Sequence, residues 1–227
     1  TSMEELAELP ASLILDDMEE GASVADALRQ LGEIYAGSIG YEFEHVDDQW
    51  RQHNTAPEAA RPHLEAGRAR LGFVSSLNAV MAESPELLAG YNALAEQFTK
   101  SSLPAKAKQV VLITVSVVNG CEYCVAAHST VALKAGVDEE TVQALRAGKP
   151  VSDETLEAVR RFTERVVADR GWVEEQEVEA FLAAGLTHRN VLDVVLGVGM
   201  KTLSNYTNHI AHTPLDPAWQ AQEWKRS

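Results

Sequence analysis

Apolar residues recur every three to four positions along most of this chain, whereas runs that alternate apolar and polar residues are nearly absent. This pattern predicts an all-α protein. Glycines follow several of the apolar stretches, as they do where helices end. Helix starts are indicated at Ser84-Pro85, at Leu103-Pro104 and at Asp138 or Ser152. The predicted helices span 23–38, 57–70, 75–82, 85–101, 104–118, 121–135, 138–147, 152–170, 174–184 and 187–210.

Residues 1–55 differ from the rest of the chain because they are rich in Asp and Glu and carry no recognisable motif. We therefore predict an acidic helical extension over 1–55 and one all-helical domain over 56–227. The acidic residues of the extension fit a solvated face or an arm that contacts another subunit.

An internal repeat is one interpretation of two long apolar segments that end in a histidine. A shift of 81 positions aligns Val110 with Val191, Cys121 with Thr202, Cys124 with Asn205 and His128 with His209. The two segments are either similar helical hairpins related by a pseudo-twofold axis, or two buried helices that resemble each other by chance.

Composition narrows the classes of partner. The formal net charge of −15 leaves no basic cluster that could neutralise phosphates, so neither a nucleic acid nor an anionic membrane surface is expected as a partner. The longest apolar stretch, Val110–Val118, is far shorter than the roughly 20 residues of a membrane span. The first residues lack a basic stretch followed by an apolar core, so we expect a cytoplasmic protein.

The chemistry-bearing segment of the chain holds its only two cysteines, Cys121 and Cys124, followed by His128. A disulfide that closes so short a loop restricts the unfolded chain little, so a purely structural crosslink explains this spacing poorly. In a reducing compartment a C-x-x-C pair is more often catalytic or metal-binding. The spacing therefore indicates redox or metal chemistry.

A helix that begins near Cys121, after a turn at Asn119-Gly120, would place both sulfurs beside unpaired backbone N–H groups, which favour a thiolate. Cys124 and His128 lie four residues apart on one helical face, so the imidazole can accept the proton of the thiol. We predict that Cys124 attacks a peroxide and that Cys121, the more exposed thiol, resolves the sulfenic acid to a disulfide. An external dithiol would then reduce the pair.

Three alternatives remain open on the residues alone. Cys121, Cys124 and His128 could supply three zinc ligands, although no fourth ligand lies nearby in the sequence. Both cysteines could be inert core residues, since free cysteine is commonly buried. The chain could also be a non-catalytic helical binding protein whose thiols act as a redox sensor.

The region from about 60 to 215 resembles the carboxymuconolactone decarboxylase superfamily, and specifically its AhpD-like alkylhydroperoxidase branch. The most specific element of the resemblance is the C-x-x-C-x-x-x-H core. The segments that carry it are Leu71–Phe73, Pro85–Leu88, Leu103-Pro104, Gln109–Val111, Cys121–Cys124 and His128-Ser129.

The resemblance implies an AhpD-like all-helical fold, assembly into trimers or hexamers, and thiol-dependent peroxide reduction without haem, flavin or metal. It carries the peroxidatic role onto Cys124, the resolving role onto Cys121 and the motif histidine onto His128. It also implies a dithiol protein or a lipoyl group as the reductant. The predicted enzyme is thus a thiol peroxidase or a disulfide reductase, with a hydroperoxide or a disulfide as its substrate. The decarboxylase branch, which acts on a lactone acid, does not depend on the cysteine pair and is the less favoured alternative.

The chain departs from the family pattern at two positions. Gln109 stands where the family commonly has a relay glutamate, and an amide cannot shuttle a proton as a carboxylate does. Tyr123 stands where the best-known alkylhydroperoxidase has a histidine. Farther along, Asn205 and His209 either line the thiol pocket or form hydrogen bonds inside the core.

Overall fold

The computed structural model describes residues 56–226, and this part of the chain folds as nine α-helices without a β-strand. The all-α prediction is confirmed, whereas the predicted extension 1–55 and helix 23–38 lie outside the described residues. The helices are α1 Arg61–Leu71, α2 Ser76–Met81, α3 Pro85–Lys100, α4 Ala105–Val118, α5 Glu122–Lys134, α6 Glu139–Arg146, α7 Glu154–Ala168, α8 Glu175–Ala183 and α9 His188–Ala211. Short 3-10 helices at Glu58–Ala60 and Pro217–Gln222 flank them.

The helix boundaries follow the capping signals in the sequence. The side chains of Ser84, Asp138 and Asp153 accept hydrogen bonds from backbone N–H groups in the first turns of α3, α6 and α7. Thr187 and Asn190 form a reciprocal capping box at the start of α9. These polar caps satisfy N–H groups that the helices themselves leave unpaired.

Helix α4 is the centre of the core and contacts α5, α6, α7 and α9. It is apolar on nearly every side, and its residues from Val110 to Ser116 are all buried. A helix that is apolar all round must be covered by neighbours, which explains its central place.

A tight turn joins α4 to α5 and positions the first cysteine. Gly120 adopts a φ of +68° and donates its N–H to the carbonyl of Val117, while Cys121 donates to the carbonyl of Ser116. These two bonds form a Schellman motif, in which glycine best tolerates the left-handed position. Cys121 is also the N-cap residue of α5, so the predicted helix start is confirmed.

Helix α9 is one continuous helix of 24 residues. Lys201, the residue that the 81-residue shift aligns with Gly120, lies inside it, so the structure shows one helix where a second hairpin was predicted. The internal repeat is therefore not confirmed.

The C-terminal segment packs back onto the domain. Trp219 stacks edge-on against Tyr123, with 5.2 Å between the ring centroids, and lies 5.6 Å from Phe73. Arg146 donates hydrogen bonds to the carbonyls of Gln222 and Glu223. This segment thus covers the start of α5, where the cysteines lie.

Within residues 56–226, no single helix is long and apolar enough to cross a bilayer; only α8 and α9 taken together reach that length and composition, and they meet at a bend of 112°.

Candidate functional site

The two cysteines lie at the start of α5 and are buried against α9. Cys121 is 1% exposed and Cys124 is 2% exposed, and both are free thiols. The prediction that Cys121 is the more exposed thiol is wrong, because the C-terminal segment and α9 cover the N-terminus of α5. A difference in acidity between the two thiols must therefore come from the residues around each sulfur and not from solvent exposure.

Asn208 of α9 binds both sulfurs. Its side-chain N–H group lies 3.2 Å from Sγ of Cys124 and 3.8 Å from Sγ of Cys121. Ser204, one helical turn earlier, places its hydroxyl 3.9 Å from Sγ of Cys124. One amide donor that reaches both sulfurs keeps the thiols side by side and favours negative charge on them.

Lys201 is the most unusual residue near the thiols because its side chain is 0% exposed. Lysine is almost never fully buried unless its charge is compensated. Burial, the largest single influence, lowers the pKa of Lys201, but the negative charge of Cys124, together with the hydroxyl of Tyr91 and the thiol of Cys121, outweighs burial and raises the pKa above its ordinary value. Lys201 is therefore a buried ammonium whose main counter-charge is a cysteine thiolate.

The two thiols have opposite acidities. Burial would raise the pKa of Cys124, but the hydrogen bond from Cys121, the charge and hydrogen bond of Lys201 and the side chain of Asn205 together outweigh burial and hold that pKa well below its ordinary value. The pKa of Cys121 is raised, because its thiol donates to Cys124 and is itself buried. Cys124 is thus the thiolate and Cys121 the thiol, which is the polarity that attack by Cys124 requires.

His128 contacts Lys201 instead of Cys124. The distance from Nε2 of His128 to Nζ of Lys201 is 3.0 Å, and no hydrogen bond joins the imidazole to either sulfur. Burial, followed by the charges of Lys201 and Arg70, lowers the pKa of His128 well below its ordinary value. The neutral imidazole accepts a hydrogen bond from the ammonium, so any effect of His128 on Cys124 passes through Lys201.

A cavity of about 430 Å³ opens onto Cys124. Its walls include the rings of Phe73, Tyr91, Phe98 and Trp219, and His128 and Lys201 also line it. Gln109 lies in the same cavity, and its buried Oε1 atom has no hydrogen-bond partner. The cavity therefore combines apolar walls with a few polar groups near a thiolate, as small-molecule sites do.

Tyr123 and Asn205 hold parts of the site together. The hydroxyl of Tyr123 donates to Asp216 over 2.6 Å and accepts from the backbone N–H of Leu77 over 3.2 Å. Asn205 accepts a hydrogen bond of 2.9 Å from the side chain of Asn119, next to the turn before Cys121. The two residues fix the start of α5 against the C-terminal segment and α9, respectively.

His209 is separated from the Cys124 cavity. It is exposed and lines a second depression, also of about 430 Å³, together with Cys121, Asn208, His212 and Arg226. The predicted candidates thus divide between two sides of the thiol pair: Cys124, His128 and Gln109 face one cavity, and Cys121 and His209 face the other.

Among residues 56–226, no three His, Cys, Asp or Glu side chains converge as metal ligands would. Cys121, Cys124 and His128 in particular do not form such a group, so the zinc alternative finds no ligand set there.

Sequence reasoning missed three residues that contact the site: Lys201, Ser204 and Asn208. Together with Asn205, these polar residues recur at helical spacing in an otherwise apolar stretch, and all four are buried. A polar stripe on one face of an apolar helix was the signal that could have found them.

Comparisons with known proteins agree with this architecture. Residues 85–165 match the model of the carboxymuconolactone decarboxylase family. A peroxidase-related protein from Ralstonia eutropha JMP134 with an alkylhydroperoxidase AhpD core superposes with a TM-score of 0.65 at 18% identity, covering 72% of this chain and 88% of that one. A peroxidase-related protein from Silicibacter sp. TM1040 gives 0.64 at 20% identity, with 74% and 91% covered.

The fold is also similar to that of a debrominase. The debrominase Bmp8, in complex with 2,3,4-tribromopyrrole, superposes with a TM-score of 0.61 at 16% identity, covering 71% of this chain and 87% of that one. No curated protein matches the chain. The resemblance drawn from the sequence is confirmed, since the family model matches residues 85–165 and the fold is AhpD-like.

Proposed function

We propose that this AhpD-like chain, whose residues 85–165 match the carboxymuconolactone decarboxylase family, is a thiol-dependent peroxidase that cycles Cys124 and Cys121 between dithiol and disulfide. The observation that carries the proposal is the fully buried Lys201, whose charge favours a thiolate at Cys124 where a cavity opens onto that residue. Burying an ammonium is costly, and stabilisation of a reactive thiolate accounts for its retention.

In the first step the Cys124 thiolate attacks the outer oxygen of a hydroperoxide. The O–O bond breaks, the sulfur is oxidised to a sulfenic acid, and the leaving alkoxide takes a proton from Lys201 to become an alcohol. Lys201 can supply that proton because the proximity of Cys124 keeps it protonated beforehand. The neutral His128 imidazole accepts from the ammonium and orients it.

In the second step Cys121 forms the disulfide. Its thiol gives up a proton to the neutral Lys201 amine, and its sulfur attacks the sulfenic sulfur of Cys124. The S–O bond breaks, and hydroxide leaves as water with the proton from Lys201. The sum is one hydroperoxide and two thiols converted to an alcohol, water and a disulfide, which a dithiol protein or a lipoyl group then reduces.

Turnover of an organic hydroperoxide in the presence of dithiothreitol tests the proposal. We expect many turnovers per chain for the wild type and none for Cys124→Ser. Cys121→Ser is the matched control, since it should still react once and leave a sulfenic acid that dimedone traps. A wild type that oxidises once without cycling would identify a redox sensor instead.

The shared fold of the debrominase makes one further substrate worth assaying. Incubation with 2,3,4-tribromopyrrole under the same reducing conditions, with bromide measured by ion chromatography, separates the two reactions. Bromide release without hydroperoxide turnover would replace the peroxidase proposal.

A further inference from the structure

The cavity that opens onto Cys124 is lined by cations and, within the described part of the chain, by no carboxylate. Arg70, Lys134 and Lys201 line it, whereas no Asp or Glu does. This contrasts with the chain as a whole, which carries 34 acidic and 19 basic residues. The cavity is thus a local positive region in an acidic protein.

The three cations occupy different depths. Lys201 is fully buried beside the sulfurs, whereas Arg70 and Lys134 are exposed. Neither exposed cation has an ion-pair partner among residues 56–226. The Cys124 thiolate balances Lys201, whereas no carboxylate of residues 56–226 compensates the positive charges of Arg70 and Lys134.

The field of Arg70 reaches into the cavity. After burial and Lys201, it is the third cause that lowers the pKa of His128, and it also acts on the hydroxyl of Tyr91. A fixed positive field of this kind attracts anions and raises their local concentration.

We infer that the cavity selects hydroperoxides that carry a carboxylate on an apolar body, with Arg70 and Lys134 holding the carboxylate and the aromatic walls holding the apolar part. This substrate class rests on the proposed peroxidase function, and it adds Arg70 and Lys134 as specificity-determining residues. The cavity volume of about 430 Å³ lies within the range of small-molecule sites.

The kinetic test compares linoleic acid 13-hydroperoxide with its methyl ester, which differ by one negative charge. We expect kcat/KM to favour the acid by about threefold to tenfold, the scale of a partly screened charge pair, and the preference to shrink as ionic strength rises. Arg70→Gln and Lys134→Gln should each reduce the ratio. Arg189→Gln and Lys149→Gln are the matched controls, because both residues are exposed cations that line none of the cavities described above.

A binding measurement keeps this inference separate from the peroxidase proposal. The corresponding alcohols, 13-hydroxyoctadecadienoic acid and its methyl ester, cannot oxidise the thiols, so calorimetric titration of the wild type reports selection alone. Tighter binding of the acid would support the inference even if neither hydroperoxide is consumed, an outcome that would refute only the peroxidase proposal. Equal binding of acid and ester, or a preference that Arg70→Gln and Lys134→Gln leave intact, would overturn the inference.

Discussion

Replacing Lys201 by methionine tests the central electrostatic claim, because methionine keeps an unbranched chain of similar length and removes the charge. A hydrogen bond between charged groups contributes about 1.5–3 kcal/mol. Each pKa unit corresponds to about 1.36 kcal/mol, so loss of the Lys201 interaction should raise the pKa of Cys124 by about one to two units. The direction follows from the present geometry, in which Lys201 lowers that pKa.

The assay is the pH dependence of alkylation by iodoacetamide at limiting reagent, with the modified cysteine identified by mass spectrometry. At a pH below the Cys124 pKa of both the wild type and the variant, the alkylation rate at Cys124 should be about tenfold to a hundredfold lower in the variant, because the thiolate is the reacting species. A thiolate of higher pKa is intrinsically more nucleophilic and offsets part of this loss, so the midpoint of the titration is the decisive quantity. Lys149→Met, at an exposed lysine, is the control.

Stability distinguishes this role from a structural one. Cys124 can take up a proton once the ammonium is gone, and the variant no longer incurs the desolvation cost of a buried charge. We therefore expect the free energy of unfolding of Lys201→Met to equal or exceed that of the wild type in urea titrations. A variant that loses stability and keeps the wild-type midpoint for Cys124 would refute the reasoning.

Three other predictions use different parts of the domain. The pKa of His128 is lower in the folded chain than in the unfolded chain, so protonation of this histidine favours unfolding. The free energy of unfolding should therefore fall as the pH drops below the unfolded pKa of about 6.5. Urea midpoints measured from pH 7.5 to 5 should decline less steeply for His128→Gln than for the wild type. Gly120→Ala should cost about 1 kcal/mol or more in thermal unfolding, because φ is +68° and alanine is strained in the left-handed conformation; wild-type stability would contradict the strain argument. If the exposed apolar residues of α9 form the expected subunit contact, Ile210→Glu should lower the mass measured by light scattering, and an unchanged mass would exclude that face.

The sequence predicted helices well because each boundary carries its own local chemistry. Asp138 and Asp153 cap the helices that follow them, and Gly120 provides the left-handed turn before Cys121. The 3-10 helix at Pro217–Gln222 was missed, because a helix of six residues is too short to show a periodic pattern.

The thiol motif was also recognised in the sequence. The residues that contact its sulfurs were not predicted, because they lie about 80 residues away on α9. The spacing along α5 predicted that His128 would pair with Cys124. In the folded chain the imidazole of His128 instead accepts a hydrogen bond from the ammonium of Lys201. Which helix faces the sulfurs is decided by tertiary packing, and spacing along α5 carries no information about it. The polar stripe from Lys201 to Asn208 was the one local trace of that packing.

The separation of Cys121 and Cys124 onto two cavities predicts two routes into one active site. In thiol–disulfide exchange the thiol of lower pKa is the better leaving group, so a reductant should attack Cys121 and expel Cys124 as a thiolate. The reductant should therefore enter through the depression at Cys121. His209→Trp, on an exposed position lining that depression, should slow re-reduction by dithiothreitol several-fold while oxidation by hydroperoxide proceeds at the wild-type rate.

The matched variant is Thr130→Trp, on the lining of the Cys124 cavity, which should slow oxidation and leave re-reduction at the wild-type rate. Rapid-quench experiments with thiol labelling and mass spectrometry measure the two half-reactions separately. If both variants slow the same half-reaction, substrate and reductant share one entrance, and the opposite acidities of the two thiols do not translate into separate routes. Selective slowing by each variant would instead mean that the fold keeps oxidant and reductant apart, so that the dithiol is oxidised from one side and restored from the other.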